Sequence, residues 1–277
     1  MKQKASKTDF TEQQLPHNRR EVFFDCLKLY WRKLLWIGLL LLAFSAPYLV
    51  ADAVFATVRS GLHRMLVDGV LSAPEYAGQT AWLRLIEAAV NIPCYMILCI
   101  GLSGAARVIR QMLWGEPLFF AKDFADGIKQ NWRTFMLCGI AWGVMSAYLA
   151  VADAGQGGLV AYLPLGVAAI IVLPTALYMM SASAVYNIKL GKNIVNSFIL
   201  YVKTPFVTWL FVLLLASSVA LDMIGFIAVR CISRILWIAV LLPLLMMLWQ
   251  LVSYATFDRY INQQAYPEIY DKGVYRM

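Results

Sequence analysis

The chain has 277 residues, of which 61% are hydrophobic and 14% are charged, and its formal net charge is +8 at pH 7. Soluble domains have about half apolar and a quarter charged residues, so this composition excludes an ordinary soluble domain and favours a protein that buries its apolar surface in lipid. A basic balance is typical of membrane proteins, whose cytoplasmic loops are rich in Lys and Arg. The sequence has no basic stripe with interleaved aromatics outside the membrane-flanking positions, so it does not predict a nucleic-acid partner.

Six apolar runs are long enough, or nearly so, to cross a hydrocarbon core of about 30 Å, which takes about 20 residues. In chain order they cover residues 34–51, 88–106, 134–151, 159–181, 206–229 and 235–253. The runs do not alternate with period two, so they predict helices rather than a barrel. The first run follows a polar leader without a small-residue cleavage site, which predicts a retained anchor.

The Lys and Arg residues predict the orientation of these spans. With both termini inside, the inside segments carry 19 of the 24 Lys and Arg residues and the outside segments carry five. The positive-inside rule therefore predicts cytoplasmic termini. The predicted fold is an all-α, multi-pass membrane bundle with six spans. Its parts are a cytoplasmic segment with an interfacial helix (1–33), a six-span domain (34–254) and a cytoplasmic tail (255–277).

A ten-residue pattern, F-x-D-x-x-K-x-x-W-R, occurs twice, 101 positions apart, each time before an apolar run. The matched pairs are Phe23 and Phe124, Asp25 and Asp126, Lys28 and Lys129, Trp31 and Trp132, and Arg32 and Arg133. A fainter copy, 193–206, precedes the fifth span. At helical spacing Phe124, Ile128 and Trp132 share one face, so each copy predicts an amphipathic helix lying in the interface before span one, three or five.

The repeated polar and aromatic residues have two interpretations. They are candidates for interfacial anchoring or for docking a partner: Asp25, Trp31, Arg32, Asp126, Lys129, Trp132 and Arg133. Alternatively, they are the aromatic and basic residues that any membrane protein places at its inner rim.

Acidic residues at the predicted outer ends of spans form a second candidate site. Asp52, Glu87 and Asp222, with Asn91 one turn after Glu87, could form an outer polar pocket for a cation or a sugar. The alternative is that these acids, with Asp153, are boundary residues paired with nearby arginines, because charges within a membrane are otherwise costly.

The stretch from Gly101, "GLSGAARVIRQMLWGEPLFFAKDFADGIKQNWRTF", resembles the YesL-like family of small bacterial membrane proteins, a family of unknown function. "YNIKLGKNIVNSF", residues 186–198, and "FDRYIN", residues 257–262, followed by Gly273, resemble further parts of that family. The residues that carry the first match are Arg107, Arg110, Gly115, Glu116, Phe119, Phe120, Asp123, Phe124, Lys129, Asn131 and Trp132. The resemblance implies an accessory role in carbohydrate uptake or sensing, beside an ABC permease or a sensor kinase.

Catalytic, cofactor and metal sites are not predicted. The chain has no G-x-S-x-G, H-E-x-x-H or P-loop motif, and its five cysteines include no C-x-x-C pair. A non-enzymatic accessory or scaffolding subunit is therefore favoured, with a small-solute transporter or channel as the alternative. The bilayer is the predicted partner in either case, and the oligomeric state stays open.

Overall fold

The computed structural model describes residues 16–154, 158–221 and 225–274, and every regular element in those ranges is helical. The helices, in chain order, are α1 (Arg19–Val67), α2 (Ala73–Trp114), α3 (Phe120–Ala154), α4 (Leu163–Val185), α5 (Leu190–Lys203), α6 (Pro205–Ala220), α7 (Ile227–Leu236), α8 (Leu242–Phe257) and α9 (Gln263–Ala265). Short 3₁₀ turns cover Leu159–Tyr162 and Pro267–Ile269, and π turns cover Trp237–Leu241 and Asp258–Asn262.

Local signals explain where the two longest helices begin and end. The Asn18 side chain accepts a hydrogen bond from the Glu21 amide at the start of α1, and Ser72 and Glu75 form a capping box at the start of α2. Both arrangements satisfy amides that have no partner inside the helix. Gly115 ends α2 in the left-handed conformation, with φ of 65°, which glycine adopts without a steric cost.

Helix α2 is the centre of the N-terminal half, because α1 and α3 both pack against it. The α2–α3 contact is close at two glycines: a Cβ on Gly127 would lie 3.0 Å from the Cα of Gly104 and 2.8 Å from the Cβ of Arg107. Small residues allow such close approach between helices in membranes, where packing rather than the hydrophobic effect drives association.

A sharp bend separates α5 from α6. The axes of residues 190–203 and 205–218 meet at 103°, and the break falls at Thr204, immediately before Pro205. A residue before proline is disfavoured in the α conformation, so α5 ends there. Among the described residues, five continuous helical stretches are long and apolar enough to cross a membrane: α1, α2, α3, α4 with the turn before it, and residues 228–265, which include α8. The bent α5–α6 pair is a sixth candidate.

The two ends of the bundle differ in what they contain. Arg19, at the start of α1, forms an ion pair with Asp258, just after α8. We call this end, which also holds the α2–α3 turn and residues 186–203, the terminal end. The opposite end, with the α1–α2 turn and the α3–α4 connection, is the far end.

The structure differs from the predicted helices in three details. The first two repeated segments are not separate interfacial helices, because α1 and α3 run through them without a break; neither segment contains a proline to interrupt the backbone hydrogen bonds. The boundary placed at residue 33 also falls inside α1. The predicted fifth span, 206–229, is divided: α6 ends at Ala220, and Ile227 already begins the next helix.

Candidate functional site

A buried cluster of polar residues joins distant parts of the chain at the terminal end. Asp258, which is 5% exposed, pairs with Arg19 of α1 and accepts a hydrogen bond of 2.6 Å from the amide nitrogen of Asn262. Tyr186, just after α4, donates its hydroxyl to Asn262 Oδ1 at 2.5 Å. Burial raises the pKa of Tyr186 above its ordinary value, so the hydroxyl stays protonated at neutral pH. Three segments are thereby tied together.

The end of α2 supplies the second half of this cluster. The guanidinium of Arg110 and the ammonium of Lys272 lie 4.9 and 4.4 Å from the centroid of the Trp114 ring. Glu116 lies 2.6 Å from the Lys272 ammonium and 3.8 Å from Arg110. Cations within about 6 Å of an indole face are attracted to it, so the tail is held by stacking and by charge together.

The tail residue Gly273 closes the same cluster through its backbone. It has φ of 86°, and a Cβ there would lie 2.2 Å from the carbonyl oxygen of Leu113. Only glycine fits both the left-handed conformation and this close approach. We refer to Arg19, Arg110, Trp114, Glu116, Tyr186, Asp258, Asn262, Lys272 and Gly273 as the terminal cluster.

The α2–α3 turn is fixed separately, by Asp123. Its carboxylate accepts hydrogen bonds from the Phe119 amide, at 2.7 Å, and from Gln111 Nε2, at 3.0 Å. The neighbouring Arg110 donates to the Ala184 carbonyl at 2.7 Å, across to α4. Residues from the stretches 101–135, 186–198 and 257–273 therefore meet at this end of the bundle.

The two strong copies of the repeat do not lie at the same depth. Cys26 and Gly127 are equivalent positions, and both face α2. Cys26 Sγ lies 3.3 Å from the Met112 carbonyl, whereas Gly127 packs on Gly104. Gly104 and Met112 are eight residues apart on α2, which corresponds to about 12 Å along the helix. The pattern in α1 and the pattern in α3 therefore lie at different heights along α2.

Parts of each copy behave as predicted and parts do not. Trp31 and Trp132 are 50% and 37% exposed, and the following arginines, Arg32 and Arg133, lie 5.4 and 5.5 Å from the respective ring centroids. Phe124, expected in the headgroup region, is instead 6% exposed and packs inside the protein against Phe44 and Phe120. The expectation for that residue was wrong because Gly104 of α2 leaves room for its ring.

The charged members of the repeat are less engaged than expected. Asp25 and Asp126 are partly exposed, and Lys28 and Lys129 are exposed. Among the described residues, no ion pair joins Asp126 to Lys129. Exposed pairs of this kind contribute little, because water solvates both groups well.

Helix α5 has the arrangement expected of an interfacial helix. Asn193 and Ser197 are buried against the bundle, with Asn193 Nδ2 donating to the Met179 carbonyl at 3.1 Å. Ile194, Phe198 and Val202 form an exposed apolar face on the adjacent side. Because α5 is nearly perpendicular to α6, this face would lie in the membrane plane when α6 crosses it.

At the far end, the acids pair with arginines. Asp52 contacts Arg234 and lies 3.8 Å from Arg230 Nε. Two further ion pairs join Glu87 to Arg59 and Asp153 to Arg84, the latter at 3.1 Å. The carboxylates thus have the partners that the boundary interpretation requires.

These ion pairs argue against the binding of a cation in the predicted outer pocket. A cation at Asp52 would also face the guanidinium groups of Arg230 and Arg234, which repel it. Within the described residues, no contact joins Asp52 to Glu87, so the structure does not bring these two pocket candidates together. Asp222 lies outside the described residues. Asn91 Oδ1 is buried and accepts no hydrogen bond from the described part of the chain.

Several members of the terminal cluster could not be found as site residues from sequence patterns. Arg19 and Lys272 are two of many basic residues at the predicted inner rim, and 239 positions separate Arg19 from Asp258. One signal was present: Asp258 lies five residues after the sixth apolar run, and an ionisable residue close to a span usually has a partner.

The described residues contain no group of three or more His, Cys, Asp or Glu side chains suited to a metal ion. Four of the five cysteines are buried as free thiols. Comparisons of the chain with protein-family models, with curated proteins and with solved structures found no match.

Proposed function

We propose that the chain is a six-span protein of the bacterial cytoplasmic membrane with both termini in the cytoplasm. The Arg19–Asp258 contact requires an even number of crossings between these two residues. Five long helices and α6 supply six. The excess of Lys and Arg in the segments at the terminal end favours the cytoplasm for that end.

Cysteine labelling tests this topology. In a background without the five native cysteines, a membrane-impermeant maleimide added to intact cells should label Gly69→Cys and not Gln264→Cys. Inverted vesicles serve as the control and should reverse the pattern. Labelling of Gln264→Cys in intact cells would contradict the proposal.

We further propose that the protein is a non-catalytic accessory subunit of a carbohydrate ABC importer or of its sensor kinase. The single observation that carries this role is the terminal cluster, which ties α1, α2, α4, the end of α8 and the tail into one platform. Two exposed Trp–Arg pairs, Trp31 with Arg32 and Trp132 with Arg133, lie on the helices next to it. Tryptophan and arginine are the residues that most often dominate binding energy at protein interfaces.

Purification from native membranes under mild conditions tests the accessory role. An ABC permease or a sensor kinase should co-purify in near-stoichiometric amount, and Trp31→Ala should reduce that amount about tenfold, as the loss of a hot-spot residue does. Trp82→Ala is the matched control, because Trp82 is 66% exposed at the far end. Equal loss with both variants, or recovery of the protein alone, would contradict the proposal.

A transporter is the second candidate, and one feature favours it. A π turn at Trp237–Leu241, next to Pro243, interrupts the helical stretch formed by α7 and α8. Such irregular turns within helices often mark functional sites, and transporters use interrupted helices at mid-membrane. Movement of a sugar into liposomes that contain only this protein would support this candidate over the accessory role.

A further inference from the structure

A groove separate from the terminal cluster's polar interior runs between the start of α1 and the end of α8. Its volume is about 390 Å³, within the usual range for small-molecule sites of about 300–1,000 Å³. Phe23 and Phe24 form one wall, and Leu251, Val252 and Ala255 form the other. Arg19 and Arg20 lie at its mouth.

The walls and the mouth differ in chemistry. The walls are hydrocarbon and aromatic, so water in the groove would lack the polar partners that hold ordered water in place. The arginines differ from each other too: Arg19 is held by Asp258, whereas Arg20 is exposed and forms no ion pair with a described residue. Glu21, the adjacent acid, is occupied at the helix cap by His17 and Asn18. Arg20 therefore leaves one guanidinium at the mouth without an ion pair among the described residues.

The groove lies where an apolar span ends. The last apolar run reaches about Ser253, inside the stretch of α8 that forms the wall, and the Arg19–Asp258 ion pair follows about one helical turn later. A lipid bilayer changes from apolar to charged in the same direction, because its acyl chains are followed by the headgroup phosphates. Arginine matches phosphate through its planar, bidentate donors.

We propose that this groove binds an anionic phospholipid, with an acyl chain between α1 and α8 and the headgroup phosphate at Arg20. The charge complementarity at the mouth and the apolar walls together select this ligand over a peptide, which would bring backbone polar groups into a groove with no partners for them. The site is independent of the accessory role, since it needs no protein partner.

Delipidated protein in detergent, titrated with phosphatidylglycerol or phosphatidylcholine of the same acyl chains and followed by native mass spectrometry, tests the site. Phosphatidylglycerol should bind about tenfold more tightly, and Arg20→Ala should remove that preference by weakening phosphatidylglycerol binding more than phosphatidylcholine binding. Lys122→Ala is the matched control, because Lys122 is an exposed basic residue of the terminal end that does not line the groove. Inorganic phosphate alone should not compete at equal concentration.

Variants of the wall separate the groove from a simple charged surface. Ala255→Trp fills the groove and Phe24→Ala removes part of one wall; each should weaken the binding of both lipids at unchanged oligomeric state. Retention of the phosphatidylglycerol preference in Arg20→Ala, an equal loss in Lys122→Ala, or competition by inorganic phosphate would overturn the proposal. It would also be overturned if Ala255→Trp converted a dimer to a monomer without affecting lipid binding, since the groove would then hold a second copy of this chain.

Discussion

The two ends of the molecule use the same residue types, arginine with aspartate or glutamate, in different ways. At the far end, Arg59 with Glu87 joins successive helices only 28 residues apart. At the terminal end, Arg19 with Asp258 joins segments 239 residues apart and continues through Asn262 and Tyr186. The Arg59–Glu87 pair joins two successive helices, whereas the terminal pair joins the start of α1 to the end of α8. Equal-looking ion pairs therefore differ in how much structure depends on them.

The largest expected effect is at the terminal pair. Arg19→Ala leaves the carboxylate of Asp258 buried without its counter-charge, and breaking one side of a buried pair costs about 3–5 kcal/mol. Arg20→Ala is the control, because Arg20 is the next residue along the chain and its own guanidinium is exposed. Thermal unfolding in detergent, followed by loss of monodisperse protein, measures the difference. A similar small shift in both variants would show that the terminal pair is no stronger than a surface contact.

The next effect concerns the tail. Gly273→Ala places a methyl group against the Leu113 carbonyl at a positive φ, and strained backbone of this kind costs about 1–3 kcal/mol. The tail should then detach from Trp114, which faster hydrogen exchange of residues 270–274 would report. Gly191→Ala, at an open helical position, should leave exchange of the tail unchanged. Unaltered exchange in Gly273→Ala would mean that the tail does not depend on this close approach.

The repeated segment gives a smaller contrast. Trp132→Ala removes a ring that is about two-thirds covered by protein, and the lost apolar contact is worth about 1–2 kcal/mol. Asp126→Asn removes a charge that has no ion pair among the described residues, so unfolding should change by less than about 0.5 kcal/mol. Thermal unfolding in detergent ranks the two variants. The reverse order would indicate that Asp126 is a contact for a cytoplasmic partner.

The smallest effect is expected at the far end. Glu87→Gln keeps the shape of the side chain and can still accept a hydrogen bond from Arg59, so its cost should be about 1 kcal/mol or less. The same unfolding assay, with increasing concentrations of cations or sugars, checks the outer pocket at the same time. A ligand-dependent stabilisation that disappears in Glu87→Gln would restore the pocket interpretation.

Hydropathy predicted the helical class and the presence of several long apolar helices, because each such helix is decided by its own local composition. The start of α1 could also be predicted from the sequence, since Asn18 followed three residues later by Glu21 is a helix-start signature. Pro205 marked the bend after α5 in the same local way. These features depend on residues that are neighbours in the chain.

What sequence reasoning could not supply is register between helices. The repeat is equally clear in α1 and α3, yet Gly127 lies against Gly104 while Cys26 lies against Met112. No local pattern encodes that offset, because it follows from which small residues on α2 allow the closest approach. The terminal cluster was missed for the same reason: Arg19, Trp114 and Lys272 become neighbours only after the bundle has closed.

A double-mutant cycle tests the difference between the two ends most directly. The free energy of unfolding would be measured for Arg19→Ala, Asp258→Ala and the double variant, and in parallel for Arg59→Ala, Glu87→Ala and their double variant. Such cycles isolate the coupling between two contacting residues. The structure predicts a coupling of about 2 kcal/mol or more at the terminal pair and less than about 1 kcal/mol at the far-end pair. Equal couplings, or a stronger Arg59–Glu87 pair, would contradict the conclusion that more of the structure depends on the Arg19–Asp258 pair than on the Arg59–Glu87 pair.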